Sequence, residues 1–394
     1  MCDEAPSGAP LFHQRFARIE GVSVLDGYTV VRCHACGMAF ADGLPPQADF
    51  DRYYREASKY EGVDTEGRVG ALDARRMDVA ADHLDALLPA RDTAVLEVGC
   101  ATGYLLGRLK ARGFVNLLGV DPSPRCADVG SAVHGLTIRS GSLFDDSLPA
   151  GPFDAVILLE VLEHVVDVAA CIDRLVRRLA PGGVLYLEVP DASAFDPTDD
   201  APFQQCSVEH INFFTPDDLA RLGARFGLSA RGTFPLRMPR PGGGEVAIVA
   251  MALVRAETVP STLPLPPARH PMEGYLSACA AREFMLLAGL RRALRTAPRW
   301  LIWGCGTLTL RLLALGAIPP ERVVGFVDGN PRYRGHTLLG HTIQAPSDLA
   351  PDEVPILIGS VGQTGPILSA IRARFGPGRR VVTLLEADEA ARLA

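Results

Sequence analysis

The 394-residue chain is 48% hydrophobic and carries a formal net charge of −7. That length suits two or three domains with a sizeable core. The acidic balance argues against a nucleic-acid partner held through its phosphates, and no run of about 18 apolar residues offers a membrane span.

Residues 1–70 read as a small first unit. The start lacks the basic, apolar leader of a signal peptide. The nine cysteines are scattered, which suits a reducing compartment, so a cytoplasmic location is expected. Tyr28-Thr-Val-Val-Arg-Cys33 reads as a strand entering a Cys33-x-x-Cys36-Gly37 knuckle. Such a turn presents two thiolates to one metal, and a closed zinc site needs four ligands. Cys2 and His13 are the candidates to complete the set; the alternative is a unit that folds without metal. Tyr53, Tyr54 and Tyr60 follow, either to cover a site or to pack the junction.

Residues 75–255 read as an α/β domain. Arg76–Leu88 places Met77, Ala80, Ala81, Leu84, Leu87 and Leu88 on one helical face. Val95–Val98 is a buried strand, Gly99–Gly103 a tight loop and Tyr104 the start of a helix. Glycine at 99 and 103 lets the backbone turn and lets a ligand come close. Loops between a strand's carboxyl end and a helix are where doubly wound folds bind nucleotides. The spacing here is G-x-x-x-G rather than the dinucleotide G-x-G-x-x-G. Glu97 would repel a pyrophosphate but pair with an amino group, so the expected ligand joins an adenosine to a cationic amino acid. Leu117–Asp121 is a second strand ending in an acid that can accept from both ribose hydroxyls. Gly141–Asp145 follows a third strand, and Glu160 follows a fourth that begins at Phe153. After a fifth strand ending at Pro190, the stretch Gln204–Leu219 carries Glu209 and His210 in a loop expected to overhang the site. Thr215 and Pro216 then open a helix. Ser229–Phe234 and Gly242–Val254 read as two more strands.

The proline-rich stretch 256–268 reads as a linker to a last domain, 270–394. Trp300–Thr309 is a second strand–glycine loop–helix, and Val323–Asp328 a second strand ending in an acid. Gly304-x-Gly306 approximates the dinucleotide fingerprint, with Thr309 in place of its third glycine. This is either a nucleotide site or the vestige of one.

Glu97-Val-Gly-Cys-Ala-Thr-Gly103, Leu117–Asp121 and Phe153–His164, in register, resemble the motifs of class I S-adenosylmethionine (SAM) methyltransferases. The resemblance implies a seven-stranded Rossmann-like α/β domain whose seventh strand, from Gly242, runs antiparallel. It implies SAM as cofactor, bound by Glu97, Gly99, Ala101, Gly103, Asp121, Ser142, Leu143 and Glu160, with Leu143 and Ser142 flanking the adenine. His164 is expected to orient a helix start. The knuckle resembles the zinc-ribbon that often precedes such domains.

The order of a cysteine knuckle, a SAM domain with a Glu-His lid and a second Rossmann-like domain resembles the nucleotide-sugar C-methyltransferases of deoxysugar biosynthesis. Asp328-Gly-Asn-Pro331, Gly335, Gly340 and Pro346 follow the pattern of that family's last domain. The family's lid motif is Tyr-x-Glu-His, with His as base; here the positions are Ser207, Glu209 and His210, so the Tyr is missing. The implied substrate is a small molecule, a keto-deoxysugar nucleotide, methylated on carbon through an enolate raised by His210 with Glu209 beside it. The alternatives are O- or N-methylation of another small metabolite, a nicotinamide-dependent dehydrogenase using Gly304 and Gly306, and a non-catalytic SAM-binding protein. Oligomeric state is not legible.

Overall fold

A computed structural model describes residues 8–56, 67–145, 148–240, 244–255, 268–350 and 353–384. Tyr60, Cys2 and the proline-rich stretch to residue 267 lie outside them.

The central sheet has seven strands. Val95–Val98 is its middle, flanked by Leu117–Asp121 and Thr137–Ser140 on one side and by Phe153–Leu159 and Leu179–Pro190 on the other. These five run parallel. Glu245–Arg255 pairs antiparallel with Leu179–Pro190, and Leu228–Pro239 antiparallel with it in turn. The expected antiparallel seventh strand is therefore present, and the sixth is longer than Ser229–Phe234. Val95, Leu96 and Val98 are buried, as a parallel strand covered on both faces requires. Helices Ala71–Leu87 and Tyr104–Ala111 cover one of those faces.

A second seven-stranded sheet forms from the C-terminal residues. Trp300–Trp303 is flanked by Val323–Val327 and His341–Gln344 on one side and by Ile356–Ile358 and Val381–Thr383 on the other. These five strands are parallel too, in the same chain order as the five of the first sheet. Thr309 explains its own departure from the glycine pattern. Its hydroxyl donates to the carbonyls of Gly304 and Gly359 at 2.7 and 2.8 Å, stitching two loops where a third glycine would allow close packing.

The first unit does not pack alone. Its strands Gly8–Arg15, Gly27–Cys33 and Ala39–Asp42 form a sheet with Asn212–Phe213 from the lid insertion. Ile19–Glu20 meanwhile extends the edge of the C-terminal sheet against Thr337–Leu338. One core runs through all three segments, from Phe16 and Ile19 through Phe203 and Phe213 to Leu286, Trp300 and Phe326. The knuckle turn is formed: Gly37 N–H donates to the Cys33 carbonyl at 3.0 Å and Cys36 N–H approaches Cys33 Sγ at 3.5 Å. Of the expected zinc ligands, Cys2 lies outside the described residues and His13 stands apart from the knuckle. His13 sits opposite Thr29, four residues before Cys33, and its Nδ1 meets Thr29 Oγ1 at 2.9 Å. At about 3.3 Å per strand residue that is roughly 13 Å from the knuckle, beyond any shared ion. Among the described residues no third ligand joins Cys33 and Cys36. No helix among them is long and apolar enough to cross a membrane.

Arg311 ties these pieces together. It donates to both Glu283 carboxylate oxygens at 2.6 and 2.8 Å and to Gln14 Oε1 at 2.6 Å. Its guanidinium also lies over the stacked rings of Phe12 and Phe203. Removing one partner of a buried ion pair strands the other. Arg311→Met is expected to lower unfolding stability by about 3–5 kcal/mol in chemical denaturation. A loss under about 1 kcal/mol would show that the pair is incidental.

Candidate active site

A cavity of about 490 Å³ opens at the carboxyl ends of the central strands. Volumes of roughly 300–1,000 Å³ are usual for small-molecule sites. Of the expected cofactor residues, Gly99, Ala101, Asp121 and Glu160 line it, and so do Glu209 and His210 of the lid.

The loop is held by Asp121. Its Oδ2 accepts from Ala101 N–H at 2.8 Å and its Oδ1 from Ser123 N–H at 2.9 Å. A carboxylate offers about four acceptor positions, so an acid that orders a loop can also receive hydroxyls. Ala101 and Glu160 adopt φ of 46° and 53°. Non-glycine residues in that region are strained and cluster at functional sites.

Gly99 and Gly103 are needed for a different reason than close ligand approach. Their φ values are 75° and 72°. A Cβ on Gly99 would stand 2.4 Å from Val161 Cγ2, and one on Gly103 2.7 Å from Ile138 Cδ1. Their bare faces meet the protein's own side chains.

Four expected residues do not line the cavity: Glu97, Gly103, Ser142 and Leu143. Leu143 is a core residue, packed with Val120 and Leu148. Ser142 turns away, its Oγ 3.1 Å from Asp51 Oδ2 and accepting from Phe144 N–H at 3.2 Å. Glu97 is buried beneath the loop, with Oε2 lacking any hydrogen-bond partner among the described residues.

Sequence reasoning missed Arg76 and the place of His164, both of which line the cavity. Arg76 pairs with the buried Glu188. One signal was available: Arg76 lies one turn before Ala80, so it sits on the helix's apolar face. Burial works against its charge, but Glu160 and Glu188 outweigh that and hold its pKa above the ordinary value. Burial pushes Glu97 up to about 8 and Glu188 to about 7, with Arg76 only partly opposing. Glu163 is raised as well, by burial and then by Glu160.

The lid comes from Ser207–Asn212. Ser207 Oγ accepts from the N–H groups of Glu209 and His210 at 3.2 and 3.1 Å, closing a turn. That hydroxyl is committed to the backbone. Tyr28 Oη donates to the Ser207 carbonyl at 2.9 Å. The Glu209 carboxylate faces the junction with the other two parts of the chain. Its Oε1 accepts from Tyr53 and from Arg332 Nη1, the latter at 3.1 Å. Its backbone oxygen meets His164 Nδ1 at 2.8 Å. The His164 and His210 rings stand 5.1 Å apart, edge to face. Of the expected tyrosines, Tyr54 covers the cavity and Tyr53 packs the junction.

Residues 72–231 match the family model described as a methyltransferase domain. They form a class I SAM-dependent methyltransferase domain. A ubiquinone biosynthesis O-methyltransferase of Xylella fastidiosa is 35% identical over 118 residues, 28% of this chain and 46% of that protein. The protein of the same name from Xanthomonas oryzae pv. oryzae is 35% identical over 155 residues, 37% of this chain and 62% of that one. The chain thus spans about half the length of these curated relatives. Magnesium protoporphyrin IX methyltransferase from Synechocystis PCC 6803, solved with SAM, overlays with a TM-score of 0.40 at 18% identity, covering 55% of this chain and 99% of that one.

The residues present fit SAM. Asp121, an acid able to accept from hydroxyls, lines the cavity, and the lining holds more carboxylates than cations. Asp121→Ala is expected to weaken SAM binding by about 1–3 kcal/mol, the scale for losing hydrogen bonds to a charged partner. Calorimetry showing unchanged affinity would remove Asp121 from the cofactor site.

The raised carboxyls add a pH signature. Folding favours their protonated forms, so this stabilising contribution is complete below the unfolded value of 4.5 and is lost as pH rises through about 7 and 8. A cation placed beside them favours ionisation. SAM affinity is therefore expected to climb across the same window, with protons released on binding, and Glu97→Gln to flatten much of the climb. Titrations in buffers of different ionisation enthalpy read this directly, and a flat wild-type profile would separate the ligand's charge from Glu97 and Glu188.

Proposed function

We propose that the chain methylates a small molecule at the mouth of this cavity, with His210 taking the proton from the accepting atom. The observation that carries this is the meeting of two distant segments in one cavity: the Ala101–Asp121 loop and the lid residue His210. SAM, when bound, supplies an electrophilic methyl. The chain's residues do the rest. Asp121 orders the loop, and Tyr54 and Val161 wall the space. Ser207 sets the direction of the His210 backbone.

The substrate we propose is a keto-deoxysugar nucleotide, methylated on the carbon beside its carbonyl. The carbonyl acidifies that C–H, and an imidazole suits its removal near neutral pH. The shared strand order of the two sheets and a second cavity, about 590 Å³, supports this reading. That cavity is lined by Gly304, Gly306 and Asp328 together with Gln204 of the lid insertion and Ala201 just before it. A nucleotide there would lie against the same insertion that carries His210. The relatives named as O-methyltransferases support a second reading, in which His210 deprotonates a hydroxyl.

His210→Ala is expected to keep SAM affinity within a few-fold and to lower turnover by roughly 10²–10⁴, the usual contribution of a general base. Incubating keto-sugar nucleotide with the demethylated cofactor in deuterium oxide separates the readings. Wild type should wash deuterium into the carbon beside the carbonyl and the variant should not. Exchange persisting in the variant moves the base elsewhere, and methyl recovered on oxygen supports the second reading.

A further inference from the structure

We infer that Glu163, His164 and His210 form a site for a divalent first-row cation inside the methyltransferase cavity. One ligand atom from each lies within 4.8 Å of the other two. Two imidazoles and a carboxylate suit zinc, manganese or iron rather than calcium.

Each residue is prepared for that role. Glu163 is 1% exposed, and among the described residues neither of its carboxylate oxygens has a hydrogen-bond partner. A buried carboxylate in that state is costly unless it is protonated or meets a cation. His164 Nε2 stands 3.5 Å from Glu163 Oε1. Two ligands about 2.1 Å from a common centre at a tetrahedral angle are about 3.4 Å apart. The other His164 nitrogen, Nδ1, faces the Glu209 carbonyl at 2.8 Å. A carbonyl only accepts, so Nδ1 carries the proton and Nε2 offers its lone pair. Metal-bound histidines are oriented in this way.

The two supporting segments are fixed to one another. Ile211 N–H donates to the Glu163 carbonyl at 3.0 Å, and Asn212 Nδ2 to the Val165 carbonyl at 2.7 Å. The turn carrying Glu163 and His164 therefore holds the lid carrying His210. With three protein ligands the cation keeps open positions, and His164 and His210 face the cavity.

The inference rests on the placement of His210 in the proposed function and adds a control to it. A neutral imidazole has one basic nitrogen lone pair, so a His210 that holds the cation has none left to take a proton. Occupancy and base action exclude each other, so the cation blocks proton removal.

The test uses Mn²⁺ with the full chain. Electron paramagnetic resonance should show about one bound ion per chain. Glu163→Gln, which keeps the side chain's size, should weaken that binding at least about tenfold, since losing even an outer partner of a metal ligand costs 10–100-fold. His164→Ala serves the same purpose should Glu163→Gln fail to fold. Mn²⁺ should also suppress the His210-dependent deuterium exchange, and a chelator should restore it. No bound Mn²⁺, or equal binding by wild type and both variants, overturns the site and leaves the proposed function standing. Exchange that requires Mn²⁺ overturns the blocking role and removes His210 as the base.

Discussion

Arg76, which lines the cavity with Glu160, stands in the field of three further carboxylates buried behind the wall: Glu97, Glu163 and Glu188. Charges in that setting are expensive, and Arg76 cannot compensate all of them. Arg76 bonds to Glu188, and Glu97 and Glu163 keep carboxylate oxygens with no hydrogen-bond partner among the described residues. A sulfonium amino acid carries a charge opposite to theirs. The strained backbone at Glu160 and Ala101 stands over the same place, where surrounding packing must hold it.

The lid depends on residues far from it in sequence. Asn212–Phe213 is a strand added to the N-terminal sheet, Tyr53 and Arg332 meet at Glu209, and Gln14 Nε2 donates to the Cys206 carbonyl at 2.6 Å. Arg332 comes from the C-terminal sheet's loop, four residues after Asp328. The cavity mouth is thereby built by all three parts of the chain, which accounts for one core running through them.

That division explains what could be read from the sequence. The glycine loop, Asp121 and the seven strands are local patterns, and period and turn chemistry reveal them. Thr215 was legible for the same reason: it caps helix Pro216–Arg225 in a box with Asp218, three residues on. The reason for each glycine was not legible, because Val161 and Ile138 arrive from other strands. Leu143 followed a family pattern, yet local packing with Leu148 drew it into the core. His13 failed as a ligand because strand register decides its neighbour. Glu209 was placed correctly over the cavity, but its partner, Arg332, is 123 residues away. No spacing rule reaches that far.

Asp121 and Asp328 show what finally distinguishes the two halves. Each stands at the end of the second strand of a sheet of the same parallel order, and each accepts from a backbone N–H of its glycine loop: Ala101, two residues after Gly99, at 2.8 Å, and Cys305, one residue after Gly304, at 2.6 Å. The scaffold and the acid are thus nearly the same. The surroundings differ. The first cavity adds Glu160, with Arg76 as its balancing cation. In the second, Asp200 is the other acid in the wall, and it is already paired with Arg240. Burial raises Asp328, and its two backbone donors oppose the rise. An acid after the second strand marks a place for hydroxyls in either half. The buried carboxylates around it, Glu97, Glu163 and Glu188, give the first half acidic surroundings that the second lacks.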